Sequence, residues 1–440
     1  MKKEDLFQLR TNSLYKFVLY YGEEKTGILV ESIKNPGIYF IIPKGNLEAF
    51  NNSSNDSENF GDKVLLEAIT SWDALPNYEN KWSKGLSAEI KGENKRPKKM
   101  IIFGAGASFD FSYADNLENN DRPPLTNNLF DDCYDDILNE YPGARVLSSQ
   151  ILTAPNVEVF FQEQWDDIKN HYDPDALNKL INTQYYFHQL FLHITEKCKT
   201  QKRSNYISLA QLISKYTVRN TENVLLVSFN YDTLLEKSLE TALGLEYSKI
   251  EDYIDSRRSI YLLKPHGSCN WLREFSNFPY SFGHDIKNLF FSRIMYQHIT
   301  SYGAIFQNLK QEIIIKDNPS FTNNDNFKNS TYLPQLLIPY TDKDEFVMPL
   351  SHRQTLEENL ESIGEILIIG WKGTERIFQE LLRKKLGTKT VKVTIVNNGD
   401  QTVINELNAC FGHVEWQEQK TFSEFIKDSG HRLPEFFNVR

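Results

Sequence analysis

The sequence predicts an α/β protein: a Rossmann-like, doubly wound parallel sheet with a helical insertion, preceded by a small N-terminal β-rich domain. Two patterns carry this prediction. Beyond residue 97, the short apolar runs MIIFG, NVLLVSF, IYLLKPHG, EILIIG and VKVTIV alternate with longer stretches of helical periodicity. Runs that are apolar on both faces suit parallel strands covered by helices on each side. Before residue 97 the segments LYKFVLYYG, TGILVES and GIYFIIPKG are rich in β-branched and aromatic residues and are separated by polar or glycine-containing turns.

The three N-terminal segments, from Leu14 to Ile42, read as a β meander. NNSSNDSEN, residues 51–59, is a loop by composition, and GENKRPKK, residues 92–99, is a charged, proline-broken linker. A domain boundary is therefore expected near Pro97, dividing the chain into 1–97 and 98–440. The basic run Lys95 to Lys99 has nothing aromatic interleaved with it, so it reads as solvated linker and not as a phosphate-binding patch.

Between the first two apolar runs, residues of about 126–220 are mostly helical in pattern and too numerous for one crossover helix, which predicts an inserted helical subdomain. Thr126 and the Asp173-Pro174 pair are N-terminal helix signals, before TNNLFDDCYDDIL and DALNKLINTQYYFHQLFLHITEK. A second insertion, about 275–344, is irregular and contains the Asn-rich NPSFTNNDNFKNS. No internal repeat is visible.

With 440 residues, 40% of them hydrophobic, the chain has material for one large core and one small one. A formal net charge of -10 offers no basic surface, so neither nucleic acid nor an anionic membrane is an expected partner. Cys133, Cys198, Cys269 and Cys410 are scattered without CxxC or Cys/His zinc spacing, which predicts neither a disulfide framework nor a metal site. MKKEDLFQLR lacks the apolar core of a signal peptide and no run is long enough to cross a bilayer, so a cytoplasmic protein is expected.

Residues with chemical potential lie at the ends of the apolar runs. MIIFGAGASFDF runs from a strand directly into Gly104-Ala105-Gly106-Ala107-Ser108, where glycines let backbone N–H groups approach a phosphate. Phe109 replaces the third glycine of a G-x-G-x-x-G signature, which speaks against an ordinary dinucleotide dehydrogenase. VLLVSFNYDTLLEKSLE puts Asn230 and Asp232 at a strand's carboxyl end, where open α/β sheets place ligands. Helix capping accounts for one of these two residues but not for both.

A lone histidine is more often a structural residue than a catalyst, but YLLKPHGSCNW sets His266 between Pro265 and Gly267 at a strand end and not on a helix face, which shifts the odds towards a catalyst. EILIIGWKGTERIFQELLRKKLG reads as a strand, Gly370, a short loop and a helix, with Thr374 as candidate N-cap and Gly387 beyond a basic last turn. VKVTIVNNGD ends a strand in Asn397-Asn398-Gly399, a turn or a ribose contact.

GAGAS, SFNYD, KPHGS, IGWKG and VNNG, in this order, resemble the sirtuin-like (silent-information-regulator type) domain, and in particular its bacterial anti-phage NAD hydrolase branch. The resemblance spans roughly Lys98 to Gly399. It implies that Gly104, Ala105, Gly106 and Ser108 hold the pyrophosphate of NAD+, that Asn230 and Asp232 serve the nicotinamide ribose and its water, and that His266 is the catalytic base. Gly267 and Ser268 beside that histidine are implied in cofactor binding, while Gly370, Lys372 and Asn397 border the adenosine half.

The implied activity is that of an NAD+ glycohydrolase yielding nicotinamide and ADP-ribose, with NAD+ as substrate and no metal. The resemblance also implies a toxic effector that depletes NAD+, controlled by homo-oligomer assembly or by a regulatory protein encoded nearby. Residues 1–97 lie outside it and are the candidate interaction or oligomerisation domain. Protein-deacylating sirtuins carry a four-cysteine zinc module and a GIPDFR-like stretch after the glycine loop; this chain has neither, and Trp371 stands where the family often has Ser. Deacylation therefore ranks behind hydrolysis, and a non-catalytic sensor of NAD or ADP-ribose is the alternative from another class.

Overall fold

In the computed structural model, β1 (Tyr15–Tyr20), β2 (Gly27–Ser32) and β3 (Tyr39–Pro43) pair antiparallel in the order β1-β2-β3. They are the described residues of the first of two units, Met1–Leu86 and Ser87–Arg440. In the second unit the described residues run from 96 to 437, apart from 113–121, 152–153, 155, 171–172, 199–203, 221, 276–308, 317–331, 339–345, 388, 399–400, 412–415 and 428–435. The loop expected at 51–59 and Gly399 lie outside them.

The second unit opens with β4 (Lys99–Phe103), buried along its whole length, and the short α1 (Ala105–Phe109). The helical insertion follows: α2 (Asp135–Leu138), α3 (Pro142–Ile151), α4 (Val157–Asn170), α5 (Pro174–Cys198) and α6 (Asn205–Asn220). Asp173 behaves as expected, its Oδ1 accepting the Asp175 N–H at 2.8 Å, with Pro174 in the first helical position. The helix expected from Thr126 does not form as one piece. Two 3₁₀ turns, Thr126–Asn128 and Asp132–Tyr134, precede α2, and Asn128 donates to the Asp131 carboxylate at 2.9 Å. Short polar side chains that bond locally compete with the helical ladder. Phe130 sits 5.4 Å from Tyr186 and 5.6 Å from Phe187 of α5 and 6.2 Å from Phe161 of α4, which anchors this segment on both helices.

β5 (Val224–Ser228), α7 (Leu234–Leu243) and β6 (Ile260–Leu263) come next, and Gly244 closes α7 in the left-handed conformation. β7 (Gly267–Phe275), β8 (Leu309–Ile315) and β9 (Tyr332–Leu336) then form a separate antiparallel sheet in the order β8-β7-β9. The stretch read as irregular thus contributes two strands. Pro334 within YLPQL obscures β9 in the sequence, and an edge strand is where a proline is tolerated. Gln184 of α5 holds this edge by donating to the carbonyls of Pro334 and Leu336, both at 2.9 Å.

The chain returns through α8 (Leu350–Leu360), β10 (Glu365–Ile369), α9 (Arg376–Leu386), β11 (Lys392–Asn397), α10 (Gln401–Phe411), β12 (Trp416–Gln419) and α11 (Phe422–Lys427). The main sheet has the order β12-β11-β10-β4-β5-β6, with every neighbouring pair parallel. This is the Rossmann-like α/β sheet expected, with β12 as an additional strand. From β4 the chain adds β5 and β6 on one side, then crosses to the other side of β4 for β10, β11 and β12. The strand order reverses between β4 and β10, and a crevice at such a switch point is where open α/β sheets bind ligands.

Candidate functional site

A cavity of about 660 Å³ opens at this crevice. Gly104, Ala105, Gly106, Ser108, Asn230, Asp232, His266, Gly370, Lys372 and Asn397 all line it, brought together from the carboxyl ends of β4, β5, β6, β10 and β11. Gly267 and Ser268 are not among its described lining residues. Gly267, at φ +76°, starts β7 against β9, and Ser268 is fully buried beneath the loop.

The glycine turn packs backbone against backbone. Gly104 N–H donates to Ile369 O at 3.0 Å and Gly106 N–H to Gly370 O at 3.1 Å, which ties the turn after β4 to the turn after β10. A Cβ on Gly104 would lie 2.5 Å from Gly370 O. The glycines are thus required by the close approach of two turns, and the N–H groups of Gly104 and Gly106 already have carbonyl acceptors in the protein.

Across the cavity, Asn230 is 6% exposed and its Nδ2 donates to Ser108 Oγ at 2.8 Å and to Tyr206 OH at 3.3 Å. Ser108 Oγ and Tyr206 OH are themselves 2.9 Å apart. Asp232, also buried, accepts the Leu234 N–H at 3.0 Å at the start of α7. Burial raises its carboxyl pKa, opposed by the charge of Lys264 and by hydrogen bonding from Ser108 and the Leu234 N–H. Both residues line the cavity, and neither is the N-cap of α7, which is Thr233; Asp232 only receives the N–H of the first helical residue.

Lys264 is fully buried, and its ammonium donates to Asp232 O at 2.6 Å, Glu236 Oε1 at 2.8 Å and Ser268 Oγ at 2.8 Å. All three of its donors are satisfied, and together they fix the loop after β5 to the loop after β6. Between those loops the His266 ring packs edge-on to Phe229, centroids 4.8 Å apart, and near Tyr231 at 6.2 Å. Phe229 in turn stacks on Trp371 at 5.3 Å with an interplanar angle of 6°. This aromatic wall separates the histidine from the α9 side of the fold.

The N-terminus of α9 differs from expectation: Glu375 is the N-cap residue, not Thr374, and its carboxylate accepts from the Trp371 indole N–H. Gly387 ends the helix as expected, its N–H donating to Arg383 O at 3.0 Å. Sequence reasoning missed Tyr206, which enters from α6 far along the chain from Ser108, and the segment from Arg122 to Leu129 that lines the cavity. Tyr206 looks like one more core aromatic in a helix, and no local signal sets it apart. Among the described residues, no group of three or more His, Cys, Asp or Glu is arranged to hold a metal ion, and no helix is long and apolar enough to cross a membrane.

No protein-family model matches the chain, and no curated protein matches it. Solved structures similar to it are those of Sir2 homologues. One, a Sir2 homologue mutant in complex with 2′-O-acetyl ADP-ribose, is 14% identical, with 80% of this chain and 95% of the other covered and a TM-score of 0.36. A Sir2 homologue mutant in complex with ADP-ribose is 12% identical, covers 81% and 98%, and has a TM-score of 0.37. A Sir2 homologue complexed with NAD is likewise 12% identical, covers 80% of this chain and 94% of its own, and has a TM-score of 0.35.

Proposed function

We propose that this protein is an NAD+ glycohydrolase that cleaves NAD+ to nicotinamide and ADP-ribose. The observation that carries this reading is the convergence of Asn230 and His266, from adjacent strands, with the glycine turn in one cavity at the switch point. A volume of about 660 Å³ is in the range that holds a ligand of this size. In this reading Gly104, Ala105, Gly106 and Ser108 face the pyrophosphate, Gly370, Lys372 and Asn397 border the adenosine, and Asn230 and Asp232 serve the nicotinamide ribose. Gly267 and Ser268 act through the loop that carries His266.

The bond between the ribose C1′ and the nicotinamide nitrogen breaks with its electron pair going to the ring, which leaves as neutral nicotinamide. The ribose passes through an oxocarbenium-like state, and a water oxygen bonds to C1′. Both amide hydrogens of Asn230 have hydroxyl partners on the Ser108 and Tyr206 side, so its Oδ1 is the group that accepts from that water. The His266 imidazole takes the proton the water releases, a general-base contribution of about 10²–10⁴-fold. The remainder of the acceleration comes from positioning in a site walled by Phe229 and Trp371. We also read the biological role as regulated NAD+ depletion in anti-phage defence, switched on by assembly or by a partner protein. The motif resemblance alone supports that part.

The test is to incubate the purified chain with NAD+, alone and with the product of its neighbouring gene, and to separate the products by chromatography. Equimolar nicotinamide and ADP-ribose are expected, and His266→Ala and Asn230→Ala should each lower turnover by at least about 10²-fold in variants whose circular dichroism shows that they remain folded. Near wild-type turnover in either folded variant overturns the assignment. Binding of NAD+ without turnover by the wild type would instead establish the sensor reading.

A further inference from the structure

We infer that Tyr206 is a positioning residue for this reaction: its hydroxyl, with Ser108, sets the direction in which the Asn230 amide faces and so where the attacking water is held. The inference rests on the hydrolase reading and adds to it a residue from the helical insertion. Tyr206 is the second residue of α6, is 1% exposed, and is not among the described lining of the cavity. Its ring is wedged edge-on between Phe103 at 5.6 Å and Phe422 at 5.7 Å, so the hydroxyl has little freedom to move.

The three groups form one hydrogen-bonded relay: Asn230 Nδ2 donates to Ser108 Oγ at 2.8 Å and to Tyr206 OH at 3.3 Å, and the two hydroxyls lie 2.9 Å apart. With both amide protons directed at this pair, Oδ1 faces away from it and is left to receive a water. Burial raises the Tyr206 pKa well above its ordinary value, so the phenol remains a donor at any working pH. Without the Tyr206 hydroxyl the Asn230 amide keeps only one of the two acceptors that fix its direction, and Oδ1 is held less firmly towards the water.

Tyr206→Phe keeps the ring and removes the hydroxyl. Its kcat should fall about tenfold while KM for NAD+ stays within about twofold, because the loss concerns the attacking water and not the bound dinucleotide. With methanol added at a fixed concentration, the ratio of methyl-ADP-ribose to ADP-ribose should rise, since a poorly held water competes less well. Ser108→Ala enters the same relay from its other end and should reproduce the kcat loss and the ratio change. The double variant should lose little more than either single one.

A raised KM with unchanged kcat, an unchanged product ratio, or additive losses in the double variant would each overturn the inference. Should Tyr206→Phe not fold, the product ratio of Ser108→Ala decides it: an unchanged ratio excludes the relay, and a raised one sustains it. Failure of the hydrolase reading is distinguishable, since it appears as absence of NAD+ turnover in the wild type.

Discussion

At the scale of single residues, Gly370 shows why the two turns at the switch point admit no side chain. Its φ is +61°, and a Cβ there would lie 2.3 Å from Ala107 N and 2.6 Å from Gly106 C. Both the left-handed backbone and the contact penalise any larger residue, and the neighbours are backbone atoms that cannot rotate away. Gly370→Ala should therefore lower stability by at least about 2 kcal/mol. Urea denaturation of the full chain checks this, and an unchanged midpoint would show that the turns are less tightly interlocked than the geometry indicates. Gly267 is similarly constrained, at φ +76° with a Cβ position 1.9 Å from Gln335 O, which accounts for its place beside His266 without a ligand contact.

At the scale of elements, the Lys264–Glu236 ion pair joins the end of β6 to α7, with both side chains buried. Removal of one partner from such a pair strands the other charge away from water. Lys264→Met is expected to cost about 3–5 kcal/mol, and adding Glu236→Gln should recover part of the loss. The check is a set of melting curves for both variants; a double variant no more stable than the single one would contradict the assignment of the cost to the stranded charge. A second junction lies at the start of α6. Asn205 Nδ2 donates to Asp110 O at 2.5 Å and Ser423 Oγ at 2.8 Å, while the Asp110 carboxylate accepts the Ser423 N–H at 2.7 Å. The C-terminal α11 is thus fastened to the same helix end that presents Tyr206 to the site.

At the scale of the whole molecule, two buried histidines couple folding to pH. Burial lowers His188 and His352 to about 4, and each ring is bonded to a backbone carbonyl, of Cys269 and of Ile250. Both are neutral in the folded chain. Because the folded pKa lies below the unfolded value near 6.5, their contribution is complete above about pH 6.5 and is lost as pH falls towards 4. Each accounts for on the order of 3 kcal/mol across that window. Stability measured by denaturant titration at several pH values should fall steadily from pH 6.5 to 4, with uptake of about two protons from these residues on unfolding. A flat profile over that range would contradict the neutral, buried state of the pair.

β4, β5, β6 and β10 were legible because each is a short run buried on both faces or nearly so, and such a run is largely apolar whatever its neighbours are, while β11 was legible from Val393, Ile395 and Val396 although its Lys392 is exposed. Asn230 and His266 were legible for a related reason: polar residues that directly follow such a run must lie at the sheet edge. Local chemistry also settled Asp173-Pro174 and Gly387, whose capping depends on a few adjacent residues. The sheet order, and with it the crevice between β4 and β10, was decided only by tertiary structure, because parallel pairing leaves no mark on the residues that separate the strands. The same holds for β8 and β9, whose partner β7 is remote in sequence, and for the contact of Tyr206 with Ser108. A tyrosine on a helix satisfies the same apolar pattern whether its hydroxyl meets a structural carbonyl or the amide at a site, and only the packing of α6 against the ends of β4 and β5 distinguishes the two.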